Sequence, residues 1–433
     1  MSFLTISIIA CVLFLIMLFM GMRIGLALLL SGFIGLVLMR GIGPAMSMIV
    51  FNSWNQVASF SLAVIPMFIL MGNFATHSGI TADLFTTCYK WLGHVKGGLG
   101  YVTVMTSALV NMFCGSATAT TGMIGTVCYP EMIKYNYKPL PSAAIIASSS
   151  AYGLLIPPSI GFILYCTVAG LSVGKMFAAG VVPAIIVVGG ACLTVFIMAK
   201  RNPADMPAAG EQFSLIEKIK SIKGIVGFAV LVIIMLGGIF SGFFSPSEGG
   251  SVGAAGALII MIIRRKAKLK VVLMCLKETA RMAGMIFVLV IGASVFGTML
   301  AMSQMPAMLA RSMAGWEAGF MVIWVVILVW IILGMAIDTL PLITILTPIF
   351  FPLVIEMGWN PYWFGNIMVM CMLLGLISPP DGVPVYIMSR ISGQPLMKTF
   401  WACAPFFLML FVVMIFMVYI VPLSTWLPAF VGA

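Results

Sequence analysis

Hydroxyl-bearing and acidic side chains interrupt two long apolar stretches of the chain, and oxygen ligands of this kind suit a hard cation. The first interruption is residues 111–121, with the sequence Asn-Met-Phe-Cys-Gly-Ser-Ala-Thr-Ala-Thr-Thr. The second lies at a constant distance, because adding 222 to the positions of Ser116 and Ala117 gives Asp338 and Thr339. We therefore expect Ser116 and Asp338 to hold equivalent places in a molecule built from two related halves.

Paired prolines repeat at the same offset. Adding 222 to the positions of Pro157 and Pro158 gives Pro379 and Pro380, and the prolines at 130, 139 and 183 likewise correspond to prolines at 352, 361 and 405. A proline pair removes two amide donors and disfavours helix at the preceding residue, so each span that contains one should unwind. The carbonyls four residues back, which lose their helical partners, are those of Gly153, Leu154, Gly375 and Leu376.

These polar tips and proline breaks together predict two sodium sites, with an organic anion bound between the tips near the membrane midplane. The candidate ligands of the first sodium ion are Ser116, Gly153, Ile156 and Pro158. The candidate ligands of the second are Asp338, Thr339, Gly375, Ser378 and Pro380. The candidate ligands of the anion are Thr118, Thr120, Thr121 and Asp381.

Structural interpretations of the same residues stay open. A proline pair within a span can serve only to kink it, and Ser and Thr in membrane helices often bond back to their own backbone. Asp338 is harder to explain in this way, because an acid at membrane depth is costly without a partner. Asp381 could instead lie at the edge of a wet cavity.

The composition is that of a polytopic membrane protein. Of the 433 residues, 62% are hydrophobic and only 8% are charged, which excludes an ordinary soluble protein. Uniformly apolar runs predict helices, so we expect an all-α fold with no soluble catalytic domain, and no enzyme. Nine scattered cysteines and two histidines give little support to a zinc or disulfide framework.

The hydrophobic pattern predicts about ten spanning helices and two re-entrant hairpins. The spans are expected at 4–21, 24–39, 57–76, 140–168, 177–199, 224–243, 248–264, 284–303, 362–389 and 401–424. The hairpins are expected at 98–133 and 318–358, and the broken spans are 140–168 and 362–389. Segments 82–96 and 268–282 are either amphipathic surface helices or plain connecting helices.

Basic residues concentrate in two connections, at 200–223 and 264–270, which the positive-inside rule places in the cytoplasm. Tracing the chain from them puts both termini in the periplasm and makes the two hairpins enter from opposite sides. The chain is then two inverted repeats, residues 1–210 and 211–433, because five spans in each half turn the second copy upside down.

Five motifs resemble the large membrane subunit of the tripartite ATP-independent periplasmic (TRAP) transporters. They are Ile-Pro-Met-Phe-Ile-Leu-Met-Gly at 65–72, Gly-Ser-Ala-Thr-Ala-Thr at 115–120, Leu-Ile-Pro-Pro-Ser at 155–159, Phe-Ser-Pro-Ser-Glu at 244–248 and Ser-Pro-Pro-Asp-Gly at 378–382. The last departs from the Thr-Pro-Pro expected for the family, since Ser378 and Asp381 stand there instead.

This resemblance implies sodium-driven uptake of an organic acid, of the sialic acid or C4-dicarboxylate type, across the bacterial inner membrane. It implies a periplasmic substrate-binding protein and a small four-helix membrane subunit as partners, and an elevator motion of the hairpins and broken spans. Two alternatives stay open. One is a sodium/dicarboxylate carrier that needs no binding protein, and the other is an ion channel or the membrane subunit of a sodium pump.

Overall fold

The computed structural model describes residues 2–208, 212–305, 308, 319–380 and 382–431, and the regular structure in these ranges is helical. The first half contains α1 Phe3–Phe19, α2 Ile24–Arg40, α3 Ile42–Val57, α4 Val64–His77, α5 Ile80–Leu92, α6 Gly98–Cys114, α7 Ala117–Lys134, α8 Pro139–Ser149, α9 Ile160–Ala169 and α10 Val173–Arg201. The second contains α11 Leu215–Phe240, α12 Pro246–Ile263, α13 Leu269–Ser303, α14 Gly319–Gly334, α15 Thr339–Glu356, α16 Pro361–Leu376, α17 Val383–Ser392, α18 Leu396–Ala402, α19 Ala404–Tyr419 and α20 Pro422–Thr425. Short 3₁₀ turns lie at Phe60–Ala63, Tyr152–Leu154 and Leu427–Phe430.

Several of these helices are long and apolar enough to cross a bilayer. Within the described residues these are α10, α11, α12, α13 and α15, to which the bent pair α18 and α19, at 43°, can be added as one broken span. Seven further apolar helices in the described ranges have between 10 and 17 residues. The chain is therefore a multi-pass membrane protein with an all-α fold, while the number of ten spans stays a prediction.

Helix α13 corrects the expected separation of segment 268–282 from a span at 284–303. Both belong to one helix of 35 residues, Leu269–Ser303. Its buried residues Cys275, Thr279, Ala283 and Ile286 recur every three or four positions, so one packed face continues through the predicted boundary. On that face, Asn73 of α4 donates to Thr279 Oγ1 at 2.9 Å. The charged side chains that suggested a surface segment lie on the other sides of the same helix.

The span expected at 57–76 begins later in the structure than the sequence predicts. Helix α3 ends where this span was predicted to begin, and α4 starts only at Val64, after the 3₁₀ turn. Helix α3 exposes Phe51 and Trp54, while Asn52 donates to Thr298 Oγ1 of α13 at 3.0 Å. The hydropathy pattern did not identify α3 as a helix, because the segment combines an apolar exposed face with a polar face that contacts α13. Most of segment 82–96 belongs to α5, Ile80–Leu92, which packs against α11.

The helix bounds of the two halves coincide at the offset of 222. Adding 222 to the bounds of α7, 117–134, gives 339–356, which are the bounds of α15. The same addition to α2, 24–40, gives 246–262, where α12 spans 246–263, and for α6, 98–114, it gives 320–336, where α14 spans 319–334. The start of α8, at 139, gives 361, which is the start of α16.

Two groups of packed helices bear on the site, and they contact each other where α4 and α5 pack on α6 and where α13 packs on α15. In one group, α13 packs against α2 and α4, α12 against α4, and α11 against α5. In the other, α6 packs against α7, α8 and the Tyr152–Leu154 turn, and α14 packs against α16. This second group is interlocked, because α7 packs on α17 and α15 packs on α9, so each hairpin contacts the broken span of the other half.

Candidate functional site

The first polar tip is a two-residue turn between α6 and α7. Gly115 has φ +63° and donates its N–H to Asn111 O at 2.8 Å, which closes the end of α6. Ser116 is the N-cap of α7, and its half-buried hydroxyl accepts from Ala119 N at 3.3 Å. The tip therefore places a hydroxyl oxygen at the positive end of a helix.

The first break separates α8 from α9. Gly153 O accepts from Ile156 N at 3.2 Å, and Leu154 O accepts the Ser159 hydroxyl proton at 2.5 Å. Both carbonyls thus lack their helical partners, as predicted, but each has a local donor and keeps one lone pair. Pro158 is buried, Ile156 is half-buried, and the bond between the two prolines is cis.

Gly153 joins this break to the hairpin. A Cβ built on Gly153 would lie 2.4 Å from Met112 N and 2.5 Å from Asn111 C, both backbone atoms of the last turn of α6. Only glycine permits so close an approach of two backbones. The break and the first tip are consequently held in direct main-chain contact.

The second half repeats this contact. Asp338 is the N-cap of α15, and its Oδ1 accepts from Thr339 N at 2.8 Å. A Cβ on Gly375 would lie 2.5 Å from Gly334 O, again in the last turn of the helix before the tip. The pairs are equivalent, because adding 222 to 153 gives 375 and adding 222 to 112 gives 334. An equivalent junction between break and hairpin therefore occurs at each of the two candidate sodium sites.

The second break differs from the first in its surroundings. The bond between Pro379 and Pro380 is cis, and both prolines are exposed, whereas Pro157 and Pro158 are buried. Buried Ser378 donates its hydroxyl proton to Leu374 O at 2.7 Å.

Two further carbonyls of the second break have hydrogen-bond partners. Gly375 O accepts from Ser378 N at 3.1 Å, and Pro380 O accepts from Tyr386 Oη at 3.0 Å. Asp381 lies outside the described residues, so its role as a ligand of the anion stays a prediction.

The three threonines predicted to bind an anion have different environments. Thr118 is exposed beside the tip. Thr120 is buried and donates to Asn111 Oδ1 at 3.3 Å, and buried Thr121 donates to Ala117 O at 2.7 Å. The hydroxyl protons of Thr120 and Thr121 are therefore both donated within the hairpin, and the role of these threonines as anion ligands stays a prediction. Asp338 and Thr118 are the exposed polar side chains of the tips, while Thr339 is buried.

Asn111 received no individual role in the sequence prediction. It is fully buried, its Oδ1 accepts from Thr120, and its Nδ2 has no hydrogen-bond partner among the described residues. Its position next to Gly153 puts an amide at the junction of tip and break. The signal that identifies it is a carboxamide within an apolar run, since such a group is costly in a membrane interior.

Comparison with known proteins identifies the family of the chain. Residues 11–423 match the family model described as "Tripartite ATP-independent periplasmic transporter, DctM component". The chain is 34% identical to the C4-dicarboxylate TRAP transporter large permease protein DctM of Pseudomonas aeruginosa over 86% of this chain and 87% of that protein. It is 30% identical to the sialic acid TRAP transporter large permease protein SiaM of Vibrio cholerae over 92% of each chain.

The fold is also similar to the crystal structure of the Alcanivorax borkumensis YdaH transporter, with a TM-score of 0.61. That similarity covers 89% of this chain and 88% of the other at 16% identity, so it concerns the fold alone. The family match and the two permease relatives settle the classification: the chain belongs to the DctM family and is a large membrane subunit of a tripartite ATP-independent periplasmic transporter.

Proposed function

We propose that the chain is the sodium-coupled translocating subunit of an importer for a carboxylate-bearing organic anion in the bacterial inner membrane. It works with a small four-helix membrane subunit and a periplasmic substrate-binding protein. Residues 1–210 and 211–433 are its two inverted repeats. The observation that carries the proposal is the paired junction, in which Gly153 and Gly375 each contact the backbone of the hairpin helix just before a polar tip.

One sodium ion binds at each of the two junctions between a tip and its break. The first is held by the Ser116 hydroxyl and by oxygens of Gly153, Ile156 and Pro158. This assignment is supported by the close approach of the tip and the break, since a hard cation needs several oxygens on a fixed shell. Gly153 O can still bind a cation because its bond to Ile156 N occupies only one of its two lone pairs.

The second sodium ion is held by the Asp338 carboxylate and by oxygens of Thr339, Gly375, Ser378 and Pro380. Asp338 takes part in none of the three ion pairs found among the described residues. Its Oδ1 binds the amide of Thr339, which leaves Oδ2 for a cation. An exposed carboxylate at a helix N-terminus is also stabilised by the helix dipole until the ion arrives.

The substrate binds between the tips. Thr118, Thr120 and Thr121 are its hydroxyl ligands, and Asp381 is a further ligand. The N-termini of α7 and α9 offer partial positive charge to a carboxylate. The names of the two permease relatives support a carboxylate, because C4-dicarboxylates and sialic acid both carry this group.

Sodium coupling is energetically sufficient. Each sodium ion that enters through about 100 mV gains roughly 2.3 kcal/mol from the membrane potential, and a monoanion entering with it loses the same amount. Two sodium ions per monoanion leave a net gain, whereas for a dianion the contribution of the potential is zero and the sodium concentration gradient supplies the driving force. Interlocked packing of α7 on α17 and of α15 on α9 supports an elevator motion, because the hairpins and broken spans can then move as one body against the other helix group.

Reconstituted vesicles test the proposal. The chain is inserted with its small subunit, and uptake of labelled C4-dicarboxylates and sialic acid is followed with the cognate binding protein outside. We expect uptake only when a sodium gradient, the small subunit and the binding protein are all present. Sodium-dependent uptake by the chain alone would instead indicate a carrier that needs no binding protein. Cation current without organic uptake would indicate a channel or a sodium-pump subunit.

A further inference from the structure

A cavity of about 400 Å³ lies where α8 begins and α10 ends. Lys138 and Asp205 line it, with the Lys138 Nζ 2.5 Å from the Asp205 Oδ1. The backbones of the two residues are also joined, since Lys138 N donates to Asp205 O at 3.0 Å. The Lys138 side chain is 62% exposed and that of Asp205 is 19% exposed. The cavity therefore presents one cation and one anion at fixed positions.

The walls of this cavity are apolar apart from the ion pair and Gln394. They include Pro139, Met198 and Trp401, and the Trp401 ring is 75% exposed. The positive-inside rule places the connection after α10, which contains Asp205, at the cytoplasmic surface. Exposed tryptophan beside a lysine is typical of the layer in which lipid headgroups meet the acyl chains.

A second cavity, of about 290 Å³, shares Trp401 with the first. Its walls are apolar and include Met335, Ile377 and Phe407. The one hydroxyl in its lining, that of Ser378, is already bonded to Leu374 O at 2.7 Å. Hydrocarbon is the occupant that such a lining accepts without leaving a polar group unpaired.

We propose that the two cavities hold one membrane phospholipid with an ethanolamine headgroup. Its phosphate binds Lys138, its ammonium binds Asp205, and one acyl chain passes Trp401 into the apolar cavity. An anionic headgroup could pair with Lys138 but would be repelled by Asp205. A zwitterionic headgroup can pair its phosphate with Lys138 and its ammonium with Asp205. A choline headgroup fits less well, because its methylated nitrogen has no N–H to donate to the carboxylate. The acyl chain then contacts Ile377 and Pro379, which belong to the second break.

Lipid retention in discs tests this site. The full chain is placed in lipid nanodiscs made from equal parts of phosphatidylethanolamine, phosphatidylglycerol and phosphatidylcholine, and the lipids retained on release are measured by native mass spectrometry. We expect phosphatidylethanolamine to be retained preferentially. The double variant Lys138→Asp with Asp205→Lys should lose at least about tenfold of that preference, because both charge-assisted contacts to the headgroup are lost. The matched control swaps the exposed pair Glu131 and Lys134, whose charges are 3.4 Å apart, and should retain it.

A second pair of variants covers the case in which the swap does not fold. Trp401→Ala should lower retention of phosphatidylethanolamine, while Trp426→Ala, at a tryptophan that is 60% exposed, should not. Equal retention of the three lipids, preference for phosphatidylglycerol, or retention unchanged in both the swap and Trp401→Ala would each overturn the proposal. None of these outcomes depends on sodium coupling.

Discussion

Replacing Gly153 by alanine should force the first break away from its hairpin. The new Cβ would lie 2.4 Å from Met112 N, while ordinary contact begins at 3.4 Å, so the backbones must separate by 3.4 − 2.4 = 1.0 Å. Both neighbours, Met112 N and Asn111 C, are backbone atoms, so no side-chain rotation relieves the clash. Overpacking of this kind costs about 1–3 kcal/mol, and a main-chain clash belongs near the upper end.

Gly122 provides the matched control. It lies in α7 of the same hairpin, and a Cβ there has nothing within 4 Å. Alanine in a helix is about 1 kcal/mol more favourable than glycine, so Gly122→Ala should raise the free energy of unfolding. The two variants make the same chemical change and are expected to have effects of opposite sign.

Thermal unfolding in detergent, in sodium chloride and in equal potassium chloride, measures both packing and ion binding. A bound ion stabilises the folded state by about 2.7 kcal/mol at 100 times its dissociation constant. A displacement of 1.0 Å exceeds the roughly 0.2 Å tolerance of metal–ligand distances, so Gly153→Ala should lose most of the sodium-specific stabilisation and Gly122→Ala should keep it. Wild-type unfolding of Gly153→Ala in both salts would refute the packing argument. A destabilised protein with an intact sodium response would contradict only the assignment of the first sodium site.

Three further predictions use the same measurement. Asp338→Asn keeps an N-cap acceptor, so it should preserve stability while reducing the sodium response. Asp338→Ala removes the acceptor and should also lower the free energy of unfolding by about 1 kcal/mol. Equal sodium responses in both variants and the wild type would exclude Asp338 as a ligand. Arg264→Met removes the bonds of Arg264 to Asp83 Oδ2, at 2.5 Å, and to Gly224 O, and should cost about 1.5–3 kcal/mol, with Lys134→Met as the exposed control at about 0–1 kcal/mol. Tyr137→Phe removes the acceptor of Leu99 N, at 3.2 Å, and should cost about 1 kcal/mol at the base of the first hairpin, so an unchanged unfolding temperature would contradict that bond's contribution.

The sequence alone predicted the positions of the tips and breaks well. Glycine, proline and capping residues act locally, so Ser116 and the proline pairs identify turns and helix starts within the membrane region. The family resemblance, which rested on motifs at these same positions, is confirmed.

Other features depend on packing between distant segments, which periodicity does not report. The continuity of α13 past residue 283 depends on its buried face, and the exposure of Pro379 and Pro380 depends on the other helices around them. Likewise, the partners of the Gly153 and Leu154 carbonyls depend on local geometry that two prolines do not specify. Hydropathy finds apolar length, but it does not distinguish one helix of 35 residues from two joined segments.

The two N-caps hold equivalent places but differ in charge, since one is a serine and the other an aspartate. In the proposed transporter, with the ionised Asp338 counted as the one charged side chain that moves with the bound ions, a body loaded with two sodium ions and a monoanion has a net site charge of −1 + 2 − 1 = 0. The empty body carries −1. An interior-negative potential would then have little effect on the proposed loaded inward step and would drive the proposed empty return, by up to about 2.3 kcal/mol per 100 mV. The voltage dependence of a complete transport cycle would thus reside in resetting the carrier, and Asp338→Asn would move it to the loaded step.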